Sequence, residues 1–120
     1  MKPSANSPDI MFVDWDFDPA TPVKGKPVVV RASIKNDGAK ASSAFNVAWH
    51  ASADQSTPIH VWAVPRLNPG ARHMLEFEYA GFPREYDALK TMMVIDPEGV
   101  VVDKDRTNNE WVRTIAVAAQ

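Results

Sequence analysis

Asp103, Asp105, Thr107 and Asn109 stand at alternate positions of one polar stretch, and Asp96 precedes them at the end of an apolar run. Oxygen donors crowded in this way suit calcium, which takes about six to eight hard oxygen ligands from carboxylates, amides and backbone carbonyls. Counted from Asp103, the stretch lacks the glycine an EF-hand needs at its sixth position. It also lacks the bidentate glutamate at its twelfth, where Thr114 stands. The loop therefore has calcium's donors without a known calcium spacing. Its plainer reading is that Asp96, Asn108 and Asn109 bind backbone groups of a turn. If the chain takes a cofactor at all, calcium at Asp96, Asp103, Asp105 and Asn109 is the one these residues would hold.

Catalysis finds less to work with. His50, His60 and His73 show neither the i, i+4 spacing of a helical metal site nor a His-x-His pair on one strand. There is no Gly-x-Ser-x-Gly elbow and no phosphate-binding glycine loop. With no cysteine, thiolate nucleophiles, thiolate zinc sites and disulfides all drop out. The chain reads as a non-enzyme.

Four tryptophans remain, Trp15, Trp49, Trp62 and Trp111. Trp49 is in phase with Phe45, Val47 and Ala51 and belongs in a core. Trp62 is out of phase with Ile59, Val61 and Ala63, which places it on a wet face beside His60. Trp111 follows the Asn-Asn pair at a rim. His60, Trp62 and Trp111 are thus the expected contact patch, for another protein domain or for a stacked polysaccharide.

The elements that position these residues are short strands. Ten prolines and five glycines punctuate the apolar runs too often for long helices. Ile10 to Phe17 changes phase midway, the mark of a β-bulge. Val28, Val30, Ala32 and Ile34 alternate with Val29, Arg31, Ser33 and Lys35, giving one dry and one wet face. Phe45–Ala51, Ile59–Val64, His73–Tyr79, Leu89–Ile95 and Trp111–Val117 follow, separated by turn signals. About seven strands with this spacing predict an all-β, seven-stranded antiparallel sandwich with Greek-key connections. Its expected core is Val28, Val30, Ile34, Phe45, Val47, Trp49, Leu75, Phe77, Ile95 and Ile115. His73 falls in the inward phase and is expected as a packed ring, whereas His50 and His60 fall on the wet face.

The totals agree with one such domain: 120 residues, 45% hydrophobic, 23% charged and a net charge of −2. No basic stripe suggests nucleic acid, and no Lys/Arg run or long apolar segment suggests membrane insertion. Residues 1–8 read as a Pro/Ser-rich linker and 9–118 as the domain, a module of something longer.

With the strands in place, four landmarks resemble one family. They are Val30-Arg31-Ala32-Ser33-Ile34-Lys35-Asn36-Asp37-Gly38, then Ala51-Ser52-Ala53-Asp54, then Val64-Pro65-Arg66-Leu67-Asn68-Pro69-Gly70. The last is Ile95-Asp96-Pro97-Glu98 with Asp105-Arg106-Thr107-Asn108-Asn109. Their order and spacing resemble the cell-adhesion-related domain found in bacteria, CARDB, an immunoglobulin- or fibronectin-III-like sandwich. The resemblance implies a non-catalytic module of a secreted or cell-surface prokaryotic protein. It implies a role in adhesion, protein interaction or domain spacing, with other protein domains or cell-surface polymers as partners.

Overall fold

Seven strands carry the chain: β1 Ile10–Asp18, β2 Val28–Asn36, β3 Phe45–His50, β4 His60–Val64, β5 Arg72–Tyr79, β6 Tyr86–Ile95 and β7 Glu110–Val117. They belong to a computed structural model that describes residues 8–97 and 109–120. Two antiparallel sheets form, β1-β2-β5 and β4-β3-β6-β7. Their inner faces meet as a sandwich, as the alternating pattern predicts.

Alternation sets the packing. Val28, Val30, Ala32 and Ile34 of β2 are all buried, and β5 places Leu75 opposite Ala32 in register. From the other sheet Phe45, Val47 and Trp49 of β3 face them, with Met93 and Ile95 of β6 and Ile115 and Val117 of β7. The expected core is buried throughout except Phe77, which is half-buried at the sandwich edge. The phase change in β1 is a register shift between Phe12 and Asp14, which returns Trp15 and Phe17 to the interior. His73 is half-buried on the inward phase of β5, as its spacing indicates.

The largest boundary difference concerns the sixth strand. The sixth strand begins at Tyr86, not Leu89, because Tyr86 pairs with Val117 across an irregularity that ends at Leu89. The turn before it needs its glycine. Gly81 has φ 146°, and a Cβ there would lie 3.0 Å from the Gly25 carbonyl carbon.

The sandwich has two distinct ends. Asp9 lies at one, where its N–H donates to the Asn36 Oδ1 and its carbonyl accepts from the Asp37 N–H. Ala118 lies at the other, where its N–H donates to the Pro22 carbonyl and its carbonyl accepts from the Lys24 N–H. Strands of about eight residues separate the two ends by roughly 27 Å, at about 3.4 Å per residue.

Candidate functional site

Register decides where His60 and Trp62 point. β4 pairs with β3 so that Phe45 opposes Val64, Val47 opposes Trp62 and Trp49 opposes His60. Directly paired residues share a face, so His60, Trp62 and Val64 turn inward and Val61 and Ala63 turn outward. The expectation of a wet-face pair is therefore corrected. Ile59 and Val61, expected inside, are 37% and 43% exposed.

Trp62 and His60 close one edge of the sandwich. The Trp62 Nε1–H donates to the Glu76 carbonyl at 3.1 Å, linking β4 to β5 of the other sheet. The His60 ring stacks on Phe77, with centroids 4.1 Å apart and planes 12° from parallel, and Trp62 meets it edge-on at 4.8 Å. Trp62 is half-buried and packs against the core. Trp62→Ala should consequently cost about 2 kcal/mol, below the range for a fully buried tryptophan. Urea denaturation of the variant checks this, and a loss near zero would return the ring to solvent.

Burial lowers the His60 pKa, because the apolar stack disfavours the imidazolium. The folded value lies below the unfolded value of about 6.5, so the unfolded chain binds more protons between the two. This contribution to stability is complete above pH 6.5 and declines as pH falls through that window. His60→Phe, which keeps a ring on Phe77, should lose less stability than the wild type on acidification from pH 7 to pH 5. Parallel thermal melts at the two pH values read the difference.

Trp111 stands apart from this pair. It lies on β7, at the opposite edge of the four-stranded sheet from β4, and makes edge contacts at 5.6 Å with Phe12 and Trp15 of β1. The expected three-residue patch is thus two closures, one at each edge of the sandwich. In both, a ring of the four-stranded sheet packs on rings of the three-stranded sheet.

The calcium residues are placed in part. Asp96 follows the end of β6 and Asn109 precedes β7, and the Ile95 N–H donates to the Asn109 carbonyl at 2.6 Å. The Asp96 N–H reaches the Asn46 carbonyl at 2.7 Å. Asp96 is fully buried with φ 54°, a left-handed conformation that Asp tolerates better than most side chains. Asn109 is 3% exposed, and neither polar atom of its carboxamide has a hydrogen-bond partner among the described residues. Asp103 and Asp105 lie outside the described residues. Among the described residues no group of three or more His, Asp and Glu converges on one point.

The two outer faces differ in character. On β1-β2-β5, Asp14, Asp16 and Asp18 line up with Glu76 and Glu78 around Arg31. The Arg31 Nε donates to Glu76 at 3.0 Å and one Nη to Asp18 at 3.4 Å. That hydrogen bond to Glu76, with the surrounding carboxylates, raises the Arg31 pKa further above its usual value. On β4-β3-β6-β7 the outer face is largely apolar, with Val61 and Val112 exposed beside Ala48, Met92 and Val94. His50, expected on the wet side, belongs to this outer face yet is only 8% exposed between its neighbours.

A family model, CARDB, matches residues 7–113. The fold is similar to a CARDB domain from Pyrococcus furiosus solved in complex with di-metal ions. The TM-score is 0.76 at 19% identity, covering 93% of this chain and 90% of that one. It is also similar to a domain of a Methanosarcina acetivorans protein provisionally assigned to the cell surface. There the TM-score is 0.74 at 22% identity, over 92% of each chain. A β-glucosidase from Erythrobacter marinus shares the fold over 16% of its own chain, with a TM-score of 0.55 at 15% identity. Among curated proteins none matches the chain.

Proposed function

The chain belongs to the CARDB family, and from that premise we propose that it is a non-catalytic module of a cell-surface protein. It holds neighbouring domains apart and presents its two unlike sheet faces to them. The observation that carries this reading is the placement of Asp9 and Ala118 at opposite ends of the sandwich. A chain that enters one end and leaves by the other converts each module into a fixed increment of length. The acidic face and the apolar face give the module two surfaces on which different neighbours can rest. The likeness to the Methanosarcina acetivorans domain favours a surface location.

Small-angle scattering from joined copies tests the spacing role. A rod that lengthens by roughly 30 Å per added copy is expected, following the strand length. A particle whose copies fold back on one another, or one that scatters as a flexible string, would count against it.

One observation favours a second role, a cation where β6 ends and β7 begins. The buried Asn109 carboxamide has no described hydrogen-bond partner, and its backbone is bonded to Ile95, the neighbour of Asp96; oxygen donors of this kind suit calcium. The related Pyrococcus furiosus domain was solved with di-metal ions. If calcium binds only the folded state, it adds about 2.7 kcal/mol at a hundredfold excess over its Kd. A melting temperature that rises with millimolar calcium and is restored by chelation is expected, with the rise lost in Asp96→Asn. Identical melts with calcium and with chelator would remove the cation from the reading.

A further inference from the structure

A cleft of about 320 Å³ opens between the loop after β3 and the start of β6. Ser52, Asp54, Arg84, Tyr86 and Lys90 supply its polar lining, and Ala88 and Leu89 complete it. Its volume is at the lower end of small-ligand clefts, roughly 300–1,000 Å³. Two backbone ties shape it. The Ala53 N–H donates to the Lys90 carbonyl at 2.7 Å, which fixes the loop to β6. The Asp54 N–H donates to the Ser52 Oγ at 3.3 Å, which turns the loop.

Arg84 is exposed, and an exposed arginine ordinarily samples many rotamers. Here its Nε donates to the Tyr86 Oη at 3.1 Å, and its guanidinium carbon stands 5.1 Å from the centre of the Tyr86 ring. Both contacts hold the guanidinium in place, and the single hydrogen bond uses Nε, leaving the two terminal Nη groups for a ligand. Among the described residues neither Arg84 nor Lys90 forms an ion pair. A planar fork held by an aromatic ring is suited to a carboxylate, which it binds through two parallel hydrogen bonds. The second cation, Lys90, lines the same cleft and adds charge without geometry. Asp54 and Ser52, from the loop after β3, offer an acceptor and a hydroxyl, the partners that sugar hydroxyls require.

We propose that this cleft binds a carboxylate-bearing sugar unit of an acidic polysaccharide, with the carboxylate on Arg84 and Lys90 and the hydroxyls on Asp54 and Ser52. An acidic peptide fits less well, because the lining offers no apolar pocket for a side chain beyond Ala88 and the buried Leu89. The site is independent of the spacing role. It uses none of the tryptophans, and its success or failure leaves the length increment untouched.

The test is a titration of the 120-residue chain, followed by the amide signals and the Arg84 Nε–H signal in nitrogen–proton spectra. The probes are an oligogalacturonate, a neutral galactose oligomer of the same length, and an oligoglutamate. The expected result is saturable shifts at residues 52–54 and 84–90 with the oligogalacturonate alone. They should weaken at least about tenfold in Arg84→Gln, the scale of one lost charge-assisted pair. Tyr86→Phe should weaken them less, since the ring remains while the hydroxyl that aligns Nε is gone. Equal response to the neutral oligomer would overturn the carboxylate, and response to oligoglutamate alone would overturn the sugar. No response at millimolar probe, or full binding by Arg84→Gln, would overturn the site.

Discussion

Trp49→Ala should cost roughly 3–5 kcal/mol, a large share of the stability of any domain this size. Trp49 is fully buried at the centre of an aromatic group drawn from both sheets. Phe17 of β1 lies 6.3 Å from it, Phe77 and Tyr79 of β5 lie at 6.4 and 5.2 Å, and Phe82 of the following loop lies at 6.4 Å. Tyr79 and Phe82 meet it edge to face, the arrangement the ring quadrupoles favour. Its Nε1–H donates to the Thr91 Oγ1 at 2.8 Å, and that hydroxyl donates in turn to the His50 carbonyl at 3.1 Å. Alanine removes the ring on which β1 and β5 rest, and the rigid sheet backbones cannot collapse to fill the space. Trp49→Phe keeps most of the ring and loses the one donor, so about 1–2 kcal/mol is expected. Urea denaturation of the two variants separates the terms. A loss below about 1 kcal/mol for the alanine variant would mean that the sheets do not depend on this ring.

The same residue shows how much of the fold was legible. Val28–Ile34 and Phe45–Trp49 alternate without ambiguity, because their polar partners, such as Arg31, Lys35 and Asn46, can face only water. β4 offers no such guide. Ile59, Val61 and Ala63 are the more apolar set and His60, Trp62 and Val64 the more polar one, so periodicity alone picks the wrong face for this short edge strand. The usable signal lay further on. Val64 and Leu67 are both buried where the chain crosses to the other sheet, and counting back by twos from Val64 turns Trp62 and His60 inward. The Arg84 cleft was not legible at all. Its residues come from separate segments, and what distinguishes Arg84 from other surface arginines is its contact with Tyr86, which depends on where β6 begins.

Asn36→Ala should be nearly as damaging as loss of a core ring, although Asn36 packs no apolar mass. In the sequence it reads only as the polar end of a strand, the first residue of an Asn-Asp-Gly turn. In the fold it is fully buried, and its carboxamide makes four hydrogen bonds to three separate segments. Oδ1 accepts from the Asp9 N–H at 3.0 Å and the Gly38 N–H at 2.9 Å. Nδ2 donates to the Lys40 carbonyl at 2.7 Å and the Leu67 carbonyl at 3.1 Å. The side chain thus ties the entry to β1, the exit from β2 and the crossing between sheets into one end of the sandwich. Alanine removes this partner from all four backbone groups, at about 1–3 kcal/mol for each that neither water nor another group can satisfy; the Leu67 carbonyl keeps the Ser42 N–H. A total loss of about 3–4 kcal/mol is expected. Asn36→Asp separates the donor half from the acceptor half. Its carboxylate still accepts from Asp9 and Gly38 but turns an oxygen towards two carbonyls, so its folded pKa is raised. Stability tied to a raised folded pKa is present below the unfolded value of about 4 and is lost as pH rises through the folded value. Measured against the wild type at each pH, the aspartate variant should therefore be weakest near neutrality and recover on acidification, whereas the alanine variant should show a constant deficit. An aspartate variant as stable as the wild type at every pH would show that the donated bonds to Lys40 and Leu67 contribute nothing, and that the turn is held by its acceptors alone.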